Sequence, residues 1–212
     1  MPSVTRKPQT ARKQQRRESL GRQLLEATER LMGEGLTFTE LSVDRLASEA
    51  GVSRATFYVY FEDKGQLLRL FAQHVFADLT EAARSWWDAA DARDPEDLRA
   101  SITEIIARYR RHRSVLYAVI EMAAYDAEVD ELYRGIMEGI VDAIAAIIER
   151  GQAAGTITPM PVRPTASALT WMVERTCHQT LRFTAASEDW ALADSMTEVI
   201  WRTLYLEPAP RP

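Results

Sequence analysis

The chain has 212 residues, of which 46% are hydrophobic and 27% charged, a composition typical of a soluble globular protein with a sizeable core. No apolar run approaches the ~18 residues of a membrane-spanning helix, and the basic N-terminus is not followed by the apolar segment of a secretory signal. Cys177 is the only cysteine, which excludes an intrachain disulfide. We therefore expect a cytoplasmic protein without a membrane partner.

Charge is distributed unevenly along the chain. Residues 1–17 contain six Arg and Lys and no acid, a charge of +6, so the remaining residues carry −11 within a net charge of −5. This asymmetry predicts a basic, disordered N-terminal arm (residues 1–17) attached to an acidic body.

Three helical patterns follow the N-terminal arm. Apolar residues spaced by three or four predict a first helix from about Glu18 to Met32, and two shorter helices over about 42–61. Ser42 and Ser53 have side chains that cap helix N-termini, and Gly51 tolerates the positive φ that often ends a helix. Two helices joined by such a turn form a helix-turn-helix, whose second helix enters the DNA major groove. An ordinary helical hairpin is the alternative.

The residues of this segment resemble the DNA-binding signature of the TetR family of bacterial repressors. The similarity lies in Ala50-Gly51-Val52-Ser53, Thr56-Phe57-Tyr58-Val59-Tyr60-Phe61, Lys64 and Leu67-Leu68, and it departs at Ala55, where many members have Gly. It implies an all-α fold of about nine helices. In this fold, a three-helix DNA-binding domain (residues 18–64) is joined to a larger ligand-binding and dimerisation domain (residues 65–212).

The resemblance implies DNA contacts along the second and third helices. We assign base edges to Arg54, Thr56 and Tyr58, phosphates to Ser42, Ser53, Lys64 and Tyr60, and part of the groove-facing surface to Ala55. Arg54 is suited to bidentate contact with guanine, and helix N-termini such as those at Ser42 and Lys64 favour anions. One interpretation of the N-terminal arm is a disordered, solubilising tail, and the other is a segment that binds phosphates or a minor groove. The two interpretations are compatible if the arm becomes ordered only on DNA.

Further helices are predicted in the second domain. A fourth helix begins after Asp63 and extends towards Trp87, and another begins at Asp94-Pro95. The basic group Arg108–Arg113 is interpreted as a solvated helix end, with a DNA contact as the alternative. Helices are then expected over about 114–124, 129–150, 165–185 and 189–206. The last two are apolar on more than one side, which favours a role in both the core and a homodimer interface.

The second domain is also where we expect a ligand cavity, because Met and aromatic side chains commonly line apolar sites. Residues 169–176, with Trp201, resemble the EthR branch of the family, whose members bind elongated apolar ligands in a tube within this domain. The ordinary-core interpretation remains the alternative for any single residue. The predicted ligand contacts are Trp87, Ile105, Tyr109, Met122, Thr170, Trp171, Val173, Glu174, His178 and Trp201.

No catalytic constellation is found in the sequence. The three histidines lie outside metal-ligand patterns, and a phosphate loop and a nucleophile elbow are missing. We therefore expect no enzymatic activity, no cofactor and no bound metal. The predicted function is that of a homodimeric repressor that binds a near-palindromic double-stranded DNA operator and is released by a small, largely apolar effector. The alternative is a ligand-independent DNA-organising protein whose second domain only dimerises.

Overall fold

The structure, a computed structural model, describes residues 9–89 and 94–205, and it describes side chains for residues 12–84 and 94–205. Within these ranges the chain forms eight α-helices, one single-turn 3-10 helix (Ala186–Glu188) and no strand, which confirms the predicted all-α class. Over the same ranges, no helix has the length and apolarity needed to cross a membrane. The helices are α1 (Gln9–Gly33), α2 (Val43–Glu49), α3 (Arg54–Tyr60), α4 (Lys64–Ala89), α5 (Pro95–Ala123), α6 (Ala127–Ala153), α7 (Val162–Thr180) and α8 (Asp189–Leu204).

The chain divides into two compact units. The first unit contains the residues up to Gln73 and Ser114–Val129, and the second unit contains His74–Arg113 and the residues from Asp130 onwards. This division falls inside α4, and the functional boundary after residue 64 stays a prediction made from the sequence. Residues 114–129 join the first unit partly through Arg69, whose Nη2 lies 2.9 Å from Glu128 Oε2.

Helix α1 starts nine residues before the expected Glu18, so the prediction of disorder is wrong for residues 9–17. Residues 1–8 lie outside the described residues. Helix-favouring Gln, Ala, Lys and Arg dominate the sequence from Gln9 onwards, and Gln14 Nε2 donates to Glu18 Oε1 at 3.0 Å one turn later. The prediction of disorder rested on charge alone, whereas the intrinsic helix propensity of residues 9–17 favours a helix.

The core of the first unit follows the predicted apolar stripe of α1. Leu20, Leu24, Ala27 and Leu31 are all buried, and Phe57 of α3 is fully buried. At roughly 25 cal/mol per Å² of apolar surface, each large side chain of this kind stabilises the fold by about 1.5–3 kcal/mol. These side chains hold α3 with its opposite face turned to solvent.

Helix α5 runs without a break from Pro95 to Ala123, so the helix end predicted at Arg108–Arg113 is wrong. Two of the cations in this group, Arg108 and Arg110, are paired within the second unit. Arg108 Nη1 donates to Asp78 O at 2.6 Å, and Arg110 donates from Nε and Nη2 to the two carboxylate oxygens of Asp189, both at 2.6 Å. Such charge-assisted bonds fix α5 to α4 and to the start of α8, and they leave the helix itself continuous.

The core of the second unit is built from the apolar stripes of five helices. The buried side chains include Leu79 of α4, Ile102 of α5, Met137 of α6, Leu169 of α7 and Ile200 of α8. Their helices leave a partly open cavity between them.

Candidate functional site

The turn between α2 and α3 is fixed by local hydrogen bonds. Ser42 Oγ accepts from Arg45 N at 3.2 Å, and Ser53 Oγ accepts from Thr56 N at 3.0 Å, so both serines cap helices as expected. Gly51 has a φ of +70°, and the Val52 amide donates to Ala47 O at 2.9 Å. This geometry is that of a Schellman C-cap, in which a left-handed residue allows a tight turn.

The solvent-facing side of α3 is formed by residues one helical turn apart. Tyr58 and Val59 are 46% and 59% exposed, and Arg54 and Ala55 are exposed beside them. Thr56 and Tyr60 are half-buried, and the hydroxyls of Ser53 and Thr56 share a hydrogen bond of 2.9 Å. The DNA assignments made from the sequence omitted Val59, although its spacing of four from Ala55 places it on the same face.

Arg54 is held across the turn between the two helices. Its Nη1 donates to Asp44 Oδ2 at 2.6 Å, and its guanidinium carbon lies 5.5 Å from the centre of the Tyr58 ring. Both side chains of the ion pair are 60% exposed. An exposed pair of this kind contributes little free energy, so Arg54 is able to exchange Asp44 for another acceptor at small cost.

Lys64 begins α4, at the helix N-terminus for which the phosphate contact was predicted, and its ammonium is bound within the protein. Its Nζ donates to three backbone oxygens of the α1–α2 connection, those of Phe38 at 3.1 Å, Thr39 at 3.1 Å and Leu41 at 2.7 Å. Three bonds use all the protons of an ammonium group, and desolvation lowers the pKa of Lys64. The ammonium therefore joins α4 to the connection before α2, and only the N-terminus of α4 remains to bind a phosphate at this position.

Basic residues of α1 lie beside the end of α3. Lys13, Gln14 and Arg17 line one side of an open groove, and residues 58–62 line the other. The Arg17 guanidinium carbon lies 5.5 Å from the centre of the Phe61 ring. The basic side chains that the sequence assigned to a disordered arm are thus partly anchored next to the exposed helix.

The cavity of the second unit has a volume of about 110 Å³. Five of the residues predicted to bind ligand do line it, namely Ile105, Tyr109, Thr170, Val173 and Glu174. The sequence did not assign the other lining residues to a ligand site. These are Phe76, Leu79, Thr80, Ala83, Leu98, Ser101, Ile102, Met137, Ile140, Ile144, Leu169, Cys177 and Ile200.

Three of the predicted ligand contacts do not line the described cavity, although the residue before each of them does. Trp171, His178 and Trp201 are not among the described side chains that line the cavity, whereas Thr170, Cys177 and Ile200 are. Successive residues of a helix point about 100° apart. Trp171, His178 and Trp201 are therefore rotated by this angle from the lining residue that precedes each of them in the chain. The ring centroid of Trp171 instead lies 6.0 Å from that of Tyr133, and the ring centroid of Trp201 lies 4.3 Å from that of Tyr205.

Of the two other predicted contacts, one does not line the described cavity and the other has no described side chain. Met122 is part of the first unit, whereas every described lining residue is in the second. The Trp87 side chain lies outside the described residues. His178 remains close to the wall, because its Nδ1 is 3.3 Å from the hydroxyl of Tyr109.

Glu174 is the one charged side chain among the described residues of the cavity wall. It is 8% exposed, and both carboxylate oxygens are buried without a hydrogen-bond partner within the described part of the chain. Burial raises the pKa of Glu174, against smaller opposing effects of the Arg175 guanidinium and the Tyr133 hydroxyl. Arg175 Nε lies 3.6 Å from Oε2, which is too far for a hydrogen bond.

The arrangement offers binding rather than bond-making chemistry. Burial raises the pKa of Cys177 to about 12, so this thiol stays protonated at neutral pH. In the described ranges no group of three or more His, Cys, Asp or Glu side chains is placed to hold a metal.

Apolar side chains are exposed along the last two helices and their connection. Phe183, Trp190 and Val199 are 78%, 68% and 48% exposed. Exposed apolar side chains mark a contact surface when they form a contiguous patch, so these residues are candidates for one.

A capped helix-turn-helix with an exposed second helix, together with a helical unit that contains a cavity, is the arrangement of a DNA-binding transcriptional regulator. Residues 24–71 match the model of bacterial regulatory proteins of the tetR family, and residues 98–206 match that of the C-terminal domain of the transcriptional regulator EthR. The chain belongs to the TetR family of transcriptional regulators.

Curated relatives and solved structures agree with this assignment. The chain is 34% identical over 161 residues to the HTH-type transcriptional regulator EthR of Mycolicibacterium smegmatis, which covers 72% of this chain and 70% of the relative. Identity to EthR of Mycobacterium tuberculosis is 32% over 156 residues, covering 72% and 71%. These relatives are named as regulators and not as enzymes, as the sequence predicted.

The fold is shared with solved regulators. The fatty acid degradation regulator FadR from Bacillus halodurans has a TM-score of 0.72 at 16% identity, covering 85% of this chain and 94% of that one. PfmR from Thermus thermophilus has a TM-score of 0.67 at 20% identity, covering 87% and 99%.

Proposed function

We propose that this protein is a ligand-responsive repressor that binds a near-palindromic operator as a homodimer and is released by a small, largely apolar effector. The exposed face of α3 is the observation that carries the DNA-binding part of the proposal, because its apolar opposite face is buried and its polar and aromatic groups are held outward. Two-fold symmetry of the dimer makes the two half-sites inverted repeats.

The roles of individual residues follow from their positions. Arg54 is proposed to leave Asp44 and bind a guanine edge, with Tyr58 and the Thr56 methyl against neighbouring bases. Val59 joins them as an apolar contact for a thymine methyl, and Ala55 leaves room for the groove wall. Phosphates are bound by the capped N-termini at Ser42 and Ser53, by the Tyr60 hydroxyl and by the N-terminus of α4 at Lys64.

Selection of an operator from a random DNA pool tests this assignment, followed by competition with operators altered at single positions. Arg54→Ala should cost about 1–3 kcal/mol and relax the preference at one position in each half-site. Arg134→Ala is a matched control, because Arg134 is an equally accessible arginine on α6 in the second unit. Equal weakening on every sequence removes Arg54 from base reading, and an unchanged affinity removes α3 from the DNA interface.

The homodimer is proposed to form through α7 and α8. Phe183, Trp190 and Val199 lie in or between these helices and are exposed in the single chain. Pairing with the same face of a second copy buries them, which is the usual arrangement of an isologous interface.

The effector is proposed to occupy the cavity of the second unit. Other proteins of this fold carry varied ligands, since the FadR from Bacillus subtilis was solved with stearoyl-CoA and a regulator from Saccharomonospora viridis with choline. Helix α4 supplies Phe76, Leu79, Thr80 and Ala83 to the cavity wall and begins in the first unit. We propose that an effector favouring one of two positions of α4 changes DNA affinity by its differential affinity for the two states.

A cavity is not expected if the second unit only dimerises. The apolar cavity therefore favours the ligand-responsive repressor over the ligand-independent DNA-organising protein. A protein that works on chromosomal DNA also fits the cytoplasmic location expected from its single cysteine.

A further inference from the structure

The wall of the cavity contains one chemical anomaly. That anomaly is Glu174. Its buried neighbour on α7, Thr170, donates its hydroxyl to Ala166 O at 2.8 Å, so the Thr170 hydroxyl is satisfied by its own helix. Glu174, one turn further along, is 8% exposed, and neither of its oxygens has a hydrogen-bond donor among the described residues. The surrounding wall consists largely of Leu, Ile, Val, Met and Phe side chains.

A carboxylate in such a wall is unfavourable unless it is paired or protonated. Arg175 gives only partial compensation, because its Nε stays 3.6 Å from Oε2 and its own side chain is 48% exposed to water. The Tyr133 hydroxyl acts on the carboxylate from nearby, but its geometry falls short of a hydrogen bond and it too is buried without one. Glu174 is also a lining residue of the cavity, so the cavity is the nearest space from which a further partner can reach its carboxylate.

We infer that the effector is an apolar molecule with a protonated amine, whose ammonium group pairs with Glu174 while its hydrocarbon body fills the space lined by Ile102, Ile105 and Ile144. This inference rests on the proposed function and specifies its ligand. A cation supplies the hydrogen-bond donors that Glu174 lacks and a closer countercharge than Arg175, in a site where few polar groups compete. A ligand with a carboxylate of its own meets like-charge repulsion at the same place.

Three head groups on one hydrocarbon chain test the inference. The probes are the n-alkyl amines, the alkan-1-ols and the alkanoates of six, eight and ten carbons, and the dissociation constants are measured by calorimetry on the full chain at neutral pH. For at least one chain length, the amine should bind about tenfold or more tighter than the alcohol, and the alkanoate should bind most weakly.

Glu174→Gln keeps the shape and a hydrogen-bond acceptor but removes the charge, so it should reduce amine affinity to that of the alcohol. Glu149→Gln is the matched control, since Glu149 is exposed on α6 and is not part of the described cavity wall. The comparison of head groups on the unaltered protein needs no variant and stands even if Glu174→Gln folds poorly. Equal binding of amine and alcohol overturns the inference, as does an amine preference that survives Glu174→Gln or no amine binding at any length.

Release of a selected operator, followed by fluorescence anisotropy, separates the two proposals. If amines bind through Glu174 while the DNA stays bound, the effector chemistry stands and ligand-controlled release fails. If alcohols release DNA from the unaltered protein and from Glu174→Gln equally well, release stands and the role of the amine is overturned.

Discussion

Replacing Lys64 by Met tests whether this residue builds the first unit or binds DNA phosphate. The ammonium donates to the carbonyls of Phe38, Thr39 and Leu41 at 2.7 to 3.1 Å, and the bonds to Phe38 and Leu41 are partly buried. Water replaces the exposed bond to Thr39 at little cost, whereas each partly buried bond contributes about 1–2 kcal/mol. Lys64→Met should therefore lower the free energy of unfolding by about 2–4 kcal/mol.

Urea unfolding followed by far-ultraviolet circular dichroism measures this decrease. Lys13→Met is the control, because Lys13 is an exposed lysine of α1 and its replacement should leave the midpoint nearly unchanged. A pure phosphate contact predicts the opposite pattern, namely an unchanged unfolding midpoint and a smaller salt dependence of DNA binding. An unfolding midpoint for Lys64→Met equal to that of the unaltered protein refutes the structural role.

Other consequences of the structure are equally accessible. Because burial raises the pKa of Glu174, the stability linked to this carboxyl group is complete in acid and is lost as the pH rises through the raised pKa. Glu174→Gln should therefore be more stable than the unaltered protein at neutral pH, with a difference that shrinks in acid. Urea midpoints of the two proteins that differ by the same amount down to pH 4 contradict this. Removal of residues 1–17 should leave the fold intact, since the buried stripe of α1 starts at Leu20. It should also reduce the slope of the logarithm of the DNA-binding constant against log salt by roughly 0.9 for each phosphate that this segment neutralises. An unchanged slope means that these residues are only a solubilising tail. Val199→Arg should convert the dimer to a monomer in sedimentation velocity, whereas Tyr125→Arg, which alters an 86% exposed residue of the first unit, should not; a dimeric Val199→Arg protein places the interface elsewhere.

The helix-turn-helix could be predicted from the sequence because its determinants are local. Ser42 and Ser53 cap the helices that follow them, and Gly51 supplies the positive φ between them. Each of these signals acts within four residues of chain, which is the range over which backbone propensity and capping operate. The buried Phe57 and Phe61 likewise follow from helical spacing.

Interactions between residues distant in sequence explain what could not be predicted. Arg108 pairs with Asp78, 30 residues away, so the charges of α5 looked like a solvated helix end although they bind other helices of the second unit. Lys64 reaches carbonyls 23 to 26 residues earlier in the chain, and backbone acceptors leave no mark in a sequence.

The cavity shows a different limit. Large aromatic side chains such as Trp171 and Trp201 attracted the ligand assignment, whereas the wall is formed by their smaller neighbours Thr170 and Ile200. Large side chains such as Phe76 and Tyr109 also line the cavity, so residue size alone does not tell which residues face it. Only the phase of each helix, which depends on tertiary packing, places a given residue on the wall.

The most direct test of the account is whether ligand occupancy of the cavity controls DNA binding. An apolar compound found by its effect on the melting temperature is titrated into labelled operator complex, and Thr170→Trp, which fills the cavity from its buried wall, is titrated in parallel. We predict that the unaltered protein releases DNA over the same concentrations that raise its melting temperature, and that Thr170→Trp shows neither response. A saturated cavity with the operator still fully bound contradicts the account.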